Sequence, residues 1–194
     1  MRIVHYPHPI LAYKSKPLKK IDQKLRDIVA EMFDLMYEAE GVGLAANQVE
    51  LPYQLLVMNP TGDSEKKEEE YVFINPVILK RGGGLKEMNE GCLSFPELQL
   101  QITRPAEVTF QAIDLFGKAC KYSWKGMPAR ILQHEADHLT GHCFYQRATH
   151  AGELKARSIL EDLRESYEYD LSRGFVPDEL ELAQRISDLE KERT

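Results

Sequence analysis

Gln133-His134-Glu135-Ala136-Asp137-His138-Leu139 sets two imidazoles four positions apart, with a carboxylate next to the first. On an α-helix, residues at i and i+4 share a face, with roughly 5–6 Å between their Cβ atoms. Both rings can then reach one cation, while Glu135 projects beside them toward a water held at the same place. The plainer account is an exposed helix that carries HExxH by chance, and a third ligand elsewhere in the chain would separate the two. The flanks support the helix. Pro128 suits its first turn and Gly141 the residue beyond its end, which bounds a helix of about thirteen residues.

The chain around this helix has 194 residues, which is most economically one domain with an appendage. Hydrophobic residues make up 43%, enough to bury a core. A net charge of -6 argues against a nucleic-acid-binding surface spread over the whole molecule. No apolar run approaches a membrane span, and the N-terminus has no signal-peptide h-region, so a cytoplasmic protein is expected. Cys92, Cys120 and Cys143 are odd in number and widely spaced, which is no disulfide framework. Each is either a small core residue or a thiolate with a task.

Upstream of the metal helix the pattern alternates between helix and strand. Met1 to Lys20 reads as extended or irregular, with Pro7, Pro9 and Pro17. Asp22 caps a helix whose apolar stripe runs through Ile28, Val29, Met32, Phe33, Leu35 and Met36, and Gly41 stops it. Gly41 to Gln48 is small and uncharged, a loop on its pattern alone. Tyr53 to Met58 reads as a buried strand, and Glu65 to Glu70 as a solvated charged loop. Tyr71 to Leu79 reads as a further strand in which Pro76 signals an edge or a bulge, and Arg81 to Gly84 as a flexible turn. Val108, Phe110 and Ala112 alternate with polar neighbours, and Asp114 to Gly117 turns the chain into Ala119 to Trp124, a β-hairpin. Downstream, Glu153 to Leu171 and Asp178 to about Glu192 read as two amphipathic helices broken at Arg173 to Pro177.

A catalytic site of the zinc type takes three protein ligands and keeps one position open. A metzincin would place its third histidine at residue 144, which is Phe144, and that option fails. A gluzincin would take a glutamate from a later helix, and Glu161, Glu165 and Glu168 are formal candidates on a charged, solvated face. Cys92 is the remaining candidate, its thiolate stabilised by the cation itself.

Three stretches together resemble the motifs of peptide deformylase, in that family's order and at its separations. They are Gly41-Val42-Gly43-Leu44-Ala45-Ala46-Asn47-Gln48, Glu90-Gly91-Cys92-Leu93-Ser94 and the opening heptapeptide. Arg104-Pro105, Gly126 and Ala129-Arg130 fit the resemblance too, which covers roughly residues 1–150. It implies a metallohydrolase that removes the formyl group from the N-terminal methionine of new polypeptides. Cys92, His134 and His138 would be the ligands and Glu135 the general base and acid. The Gln48 side chain and the Leu93 backbone N–H would stabilise the oxyanion. The backbone of Val42, Gly43 and Leu44 would pair with an extended substrate, and Val42, Met127, Ile131 and His134 would line the methionine pocket. The implied cofactor is one divalent ion, Fe(2+) physiologically, with Zn(2+), Ni(2+) or Co(2+) as alternatives in purified protein.

Three positions depart from the family pattern. Asn47 stands where proline or threonine is frequent, Gln99 where a basic residue is, and Gln146 where an acidic one is. The expected fold is α+β: antiparallel β-sheets around a central metal-binding helix, with N-terminal and C-terminal helices outside. Residues 1–150 would form the catalytic domain and 151–194 a helical extension packed on it or projecting from it. Expected partners are N-formylmethionyl peptides and nascent chains with a transient ribosome contact, but no membrane and no specific nucleic acid, in a monomer or homodimer. The competing readings are a gluzincin-like peptidase and a catalytically silent binder of formyl peptides.

Overall fold

The computed structural model describes residues 1–194. Helix α1 (Gln23–Glu38) starts where the Asp22 carboxylate accepts the Leu25 N–H at 3.0 Å. Its buried stripe of Leu25, Val29, Met32, Phe33 and Met36 packs against Leu44, Leu55 and Val57. Five antiparallel strands follow in sequence order: β1 (Gly43–Ala45), β2 (Leu55–Met58), β3 (Tyr71–Cys92), β4 (Phe95–Ile113) and β5 (Ala119–Lys125). The fold is therefore α+β and antiparallel, with all strands joined in one sheet and β1 at its edge.

The length of β3 corrects one expectation. Arg81 to Gly84 is not a turn, because β3 stays paired with β4 on both sides of it, Gly82 opposite Glu107 and Leu85 opposite Pro105. Gly83 and Gly84, at φ of +73° and +72°, stand opposite the single residue Ala106, so the triple glycine is a bulge that bends a continuous strand. A side chain at Gly83 would strike Glu107, whose Cγ lies 2.5 Å from where a Cβ would sit. Asn75 and Pro76 form a second bulge, where the register slips between Ile74 and Val77 and β3 leaves β2. The bulge reading of Pro76 holds there. The sequence pattern marked only the end of β4, which begins at Phe95.

Helix α2 (Met127–His138) is the metal helix, twelve residues long with Pro128 in its first turn. Nine of those residues are buried, so it lies inside the molecule. Ala129, Ile131 and Leu132 pack on the sheet through Leu56, Phe73 and Phe110. At its far end the Gly141 and His142 N–H groups return to the carbonyls of His138 and Asp137. Gly141 has φ +76°, and the Ala12 carbonyl oxygen lies 2.4 Å from where its Cβ would be. Only glycine fits both conditions.

Two helices complete the chain, α3 (His150–Ser172) and α4 (Glu179–Arg193), with N-caps at Thr149 and Asp178. Leu182 and Ile186 of α4 are buried beside Val4, Ile10 and Leu11. Polar contacts tie the same helix to the body. Tyr53 Oη donates to Leu189 O at 3.1 Å, Tyr13 Oη to Glu190 Oε1 at 2.7 Å, and the fully buried Arg193 to Asp22 at 2.9 Å. No helix of the chain is long and apolar enough to cross a membrane.

Candidate metal and active site

Cys92 ends β3, and His134 and His138 face it from α2. Their ligand atoms all lie within 4.8 Å of one another, with Cys92 Sγ 3.2 Å from His138 Nε2. The i, i+4 spacing brings the two rings to 5.2 Å between centroids. Glu161, Glu165 and Glu168 are exposed on α3 and join no such cluster.

His134 is aimed by Glu90, whose carboxylate Oε2 lies 3.0 Å from Nδ1. A carboxylate only accepts, so Nδ1 carries the hydrogen and Nε2 keeps its lone pair for a cation. Glu90 is in turn held by Arg104, at 2.8 and 2.9 Å, and by Arg130 at 2.8 Å. Burial works against charge on Glu90, and the hydrogen bonds from His134 and Arg104 outweigh it, lowering the carboxyl to about 2. Arg104 also reaches Asp137 at 2.6 Å, and Arg147 grips both oxygens of Asp137 at 2.5 Å. This buried lattice fixes the β3 and β4 side of α2.

Glu90, Arg104, Arg130 and Asp137 had no role assigned from the sequence, although all four stand in the quoted motifs or fit the resemblance. A signal was present in their composition. Four charged residues on segments otherwise patterned for burial need partners. His138 is held differently. Asn47 Nδ2 donates to its backbone carbonyl at 2.6 Å, while its ring Nδ1 is buried without a partner.

The 3-10 turn Ala46–Val49 presents Gln48 from the other side. Its Oε1 accepts the Ala45 N–H at 2.8 Å, which turns the amide Nε2 toward Cys92 Sγ, 3.5 Å away, and Ser94 Oγ at 3.1 Å. The amide orientation therefore follows from its partner. Leu93 lies in the turn between β3 and β4, and its N–H meets no acceptor in the protein. Gly43 packs on Glu135: a Cβ there would lie 2.6 Å from Glu135 Oε1 and 2.8 Å from Ile131 Cγ2. Glu135 Oε2 is buried with no partner, and burial pushes this carboxyl up to about 7.

A cleft of about 630 Å³ opens onto these groups, with Val42, Gly43, Met127 and Ile131 in its wall. Met127 and Ile131 share a face of α2, Met127 toward solvent and Ile131 buried. Leu44 does not line the cleft, since its side chain is in the core with α1 and it pairs with Val57. Asn59 N–H donates to Val42 O at 3.0 Å, and the Ala45 N–H goes to Gln48. Antiparallel alternation then points the N–H and C=O of Gly43 to the free edge of β1.

The residues fit a divalent cation. One thiolate and two imidazoles are a borderline-soft donor set that leaves a coordination position open. Burial opposes a proton on His134, yet the hydrogen bonds with Cys92 and Glu90 outweigh it and lift this imidazole to about 10, while burial and the charges of His134 and Arg104 hold His138 well below the ordinary imidazole range.

The departures at Asn47 and Gln146 have structural explanations. Asn47 holds the end of α2, and Gln146 Oε1 accepts the Cys143 N–H at 2.8 Å. Gln99 Oε1 accepts from Asn89 Nδ2 at 2.8 Å on the cleft wall.

The chain was compared with known proteins. The polypeptide deformylase family model matches residues 1–153. A peptide deformylase of Rhodopirellula baltica is 42% identical over 98% of this chain and 94% of its own length. Peptide deformylase 1B of Arabidopsis thaliana, chloroplastic/mitochondrial, is 42% identical over 87% of this chain, which spans only 61% of that longer protein. Among solved structures, the peptide deformylase of Plasmodium falciparum superposes with a TM-score of 0.85 at 38% identity, covering 87% of this chain and 98% of that one. The chain belongs to the polypeptide deformylase family, the metallohydrolases that remove the formyl group from the N-terminal methionine of nascent polypeptides.

Proposed function

We propose that Cys92, His134 and His138 hold the one divalent ion of this deformylase, that the ion is Fe(2+) in the cell, and that Glu135 moves the protons of the reaction. When bound, such a cation supplies Lewis acidity, acidifying water and polarising the formyl oxygen. Glu135 takes a proton from the attacking water through its free Oε2 and delivers it to the departing amine. The Gln48 amide and the Leu93 N–H donate to the oxygen that gains charge as the formyl carbon becomes tetrahedral. Both donors are set in advance, which is what makes such stabilisation effective. Gly43 offers its N–H and C=O to the substrate backbone, which adds as a strand to the free edge of β1. The methionine side chain enters the wall formed by Val42, Met127 and Ile131.

The observation that carries this reading is the convergence of the three ligand atoms beside a buried carboxylate oxygen without a partner. Anaerobically purified protein should contain close to one equivalent of iron and release formate from formyl-Met peptides. Full metal content with no formate from several such peptides would overturn the assignment of roles. Zinc, nickel or cobalt supporting turnover while iron does not would overturn the choice of metal. We place the enzyme in the cytoplasm, as a monomer or homodimer in transient contact with the ribosome. We also assign 151–194 to the same folding unit as 1–150, on the strength of the α4 contacts with Tyr13, Asp22 and Tyr53.

A further inference from the structure

The two donors assigned to the oxyanion stand on parts of the sheet that do not pair with each other. Gln48 follows β1, whose strand partner is β2, and Leu93 lies in the turn that joins β3 to β4. β2 meets β3 only at Tyr71 to Ile74, and the end of β3 that leads into the turn pairs with β4 alone. No strand ladder therefore sets the distance between the donors. Stabilising a developing charge needs that distance fixed before the reaction starts.

The N-terminal segment supplies a link. Val4 N–H donates to Gln48 O at 2.8 Å, and Tyr6 N–H donates to Ser94 O at 3.0 Å. Two residues of one segment thus hold both donor-bearing turns. Side chains reinforce the junction. Tyr6 stacks on Phe95 with 5.3 Å between ring centroids, Gln48 Nε2 lies 3.1 Å from Ser94 Oγ, and Asn47 Nδ2 reaches Ile10 O at 3.4 Å. Helix α4 seats the segment from outside. Val4 shares a buried apolar cluster with Leu182 and Ile186, and Lys19 N–H donates to Arg193 O at 2.8 Å. Arg2 and Arg185, both exposed, approach Glu50 at 3.6 and 3.8 Å, two residues beyond Gln48.

We propose that Val4 and Tyr6 are positioning residues for deformylation: their N–H groups hold the Gln48 and Leu93 donors at their working separation, and α4 serves the chemistry by keeping this strap in place. The proposal rests on the oxyanion roles given to Gln48 and Leu93, and it adds two residues that do not line the cleft. An oxyanion donor acts in the transition state, so losing the strap should lower kcat and spare KM.

The test is a double-mutant cycle on metal-loaded enzyme with a formyl-Met tripeptide. Val4→Pro removes the N–H that Gln48 O accepts. It should lower kcat about ten- to a hundredfold, with KM and metal content unchanged. In a Gln48→Ala background it should lower kcat no further, because the held carbonyl then positions no donor. The L182A/I186A double variant keeps the Val4 N–H and loosens its seat. Its loss in kcat should be smaller and should vanish in the Gln48→Ala background too, so it carries the cycle alone if Val4→Pro does not fold. General damage to the fold would cost the same factor in both backgrounds. Equal factors in the two backgrounds, a loss confined to KM, or kcat unchanged by the variants would overturn the proposal. Gln48→Ala by itself reports the underlying assignment, with an expected fall in kcat of about 10²–10³-fold. No fall there would overturn the oxyanion role of Gln48 and the strap with it, whereas equal factors after such a fall would reject the strap alone.

Discussion

The two flanks of α2 treat polar groups in opposite ways. On the flank toward β3 and β4, Glu90, Arg104, Arg130 and Asp137 satisfy one another in a buried lattice, which the exposed Arg147 closes from outside. On the flank toward the cleft, Glu135 Oε2, the Leu93 N–H and the outer edge of Gly43 are left without protein partners. Unmet polar groups are costly in a protein interior, and chemistry needs some of them. The difference teaches that the open groups can persist because the opposite flank fixes the helix that carries them. Substitutions on the two flanks should therefore separate. Those on the cleft side should change turnover and spare the fold, and those on the lattice side should change stability or metal affinity.

The largest effect is expected at the cleft. Glu135→Gln should lower kcat for formate release by about 10²–10⁴-fold, with metal content and melting temperature near those of the unaltered protein. On the lattice side, Arg104→Met strips a shared cation from Glu90 and Asp137. Breaking a buried ion pair from one side costs about 3–5 kcal/mol, to be read from urea unfolding. A fold that tolerated this change would remove the contrast between the flanks.

Glu90→Gln is intermediate, because the amide still reaches His134 but accepts more weakly. Metal affinity should fall about 10–100-fold, measured by competition with a chelator. The smallest effect lies in the tail, where the buried Arg193 meets Asp22 at the cap of α1. The hydrogen bond from Arg193, helped by the Leu25 N–H, holds this carboxyl well below the ordinary carboxylate range. A depressed folded-state pKa stabilises above the unfolded pKa and is lost as pH falls toward the folded one. Arg193→Met should therefore lower the melting temperature at neutral pH, with a gap that narrows once pH drops below 3.8. A gap constant across that range would assign the loss to packing alone.

The same contrast explains what could be read from the sequence. HExxH spacing, the Asp22 cap, Pro128 and Gly141 act locally, and α1 and α2 were legible from them. The β4–β5 hairpin was legible from its alternation and its turn. Gly82 to Gly84 was misread because glycines that make a turn and glycines that make a bulge look alike until the partner strand is known. Cys92 was one candidate among several for the third ligand, and only the three-motif resemblance singled it out, since nothing in a lone cysteine distinguishes a ligand from a core residue. The partners of Glu90 come from β4 and α2, 14 and 40 positions away, so no local pattern announces them. Glu90 and Cys92, two positions apart on β3, share a face by the period of the strand, and a side chain at Gly91 between them would strike Gln99.

The central claim is that one cysteine from β3 and two histidines from α2 hold the ion beside Glu135. X-ray absorption at the edge of the bound metal tests it most directly, on the unaltered enzyme and on Cys92→Ala. The account predicts one sulfur and two imidazole scatterers in the former, with the sulfur lost in the latter. A metal environment without sulfur, or one identical in both proteins, would contradict it.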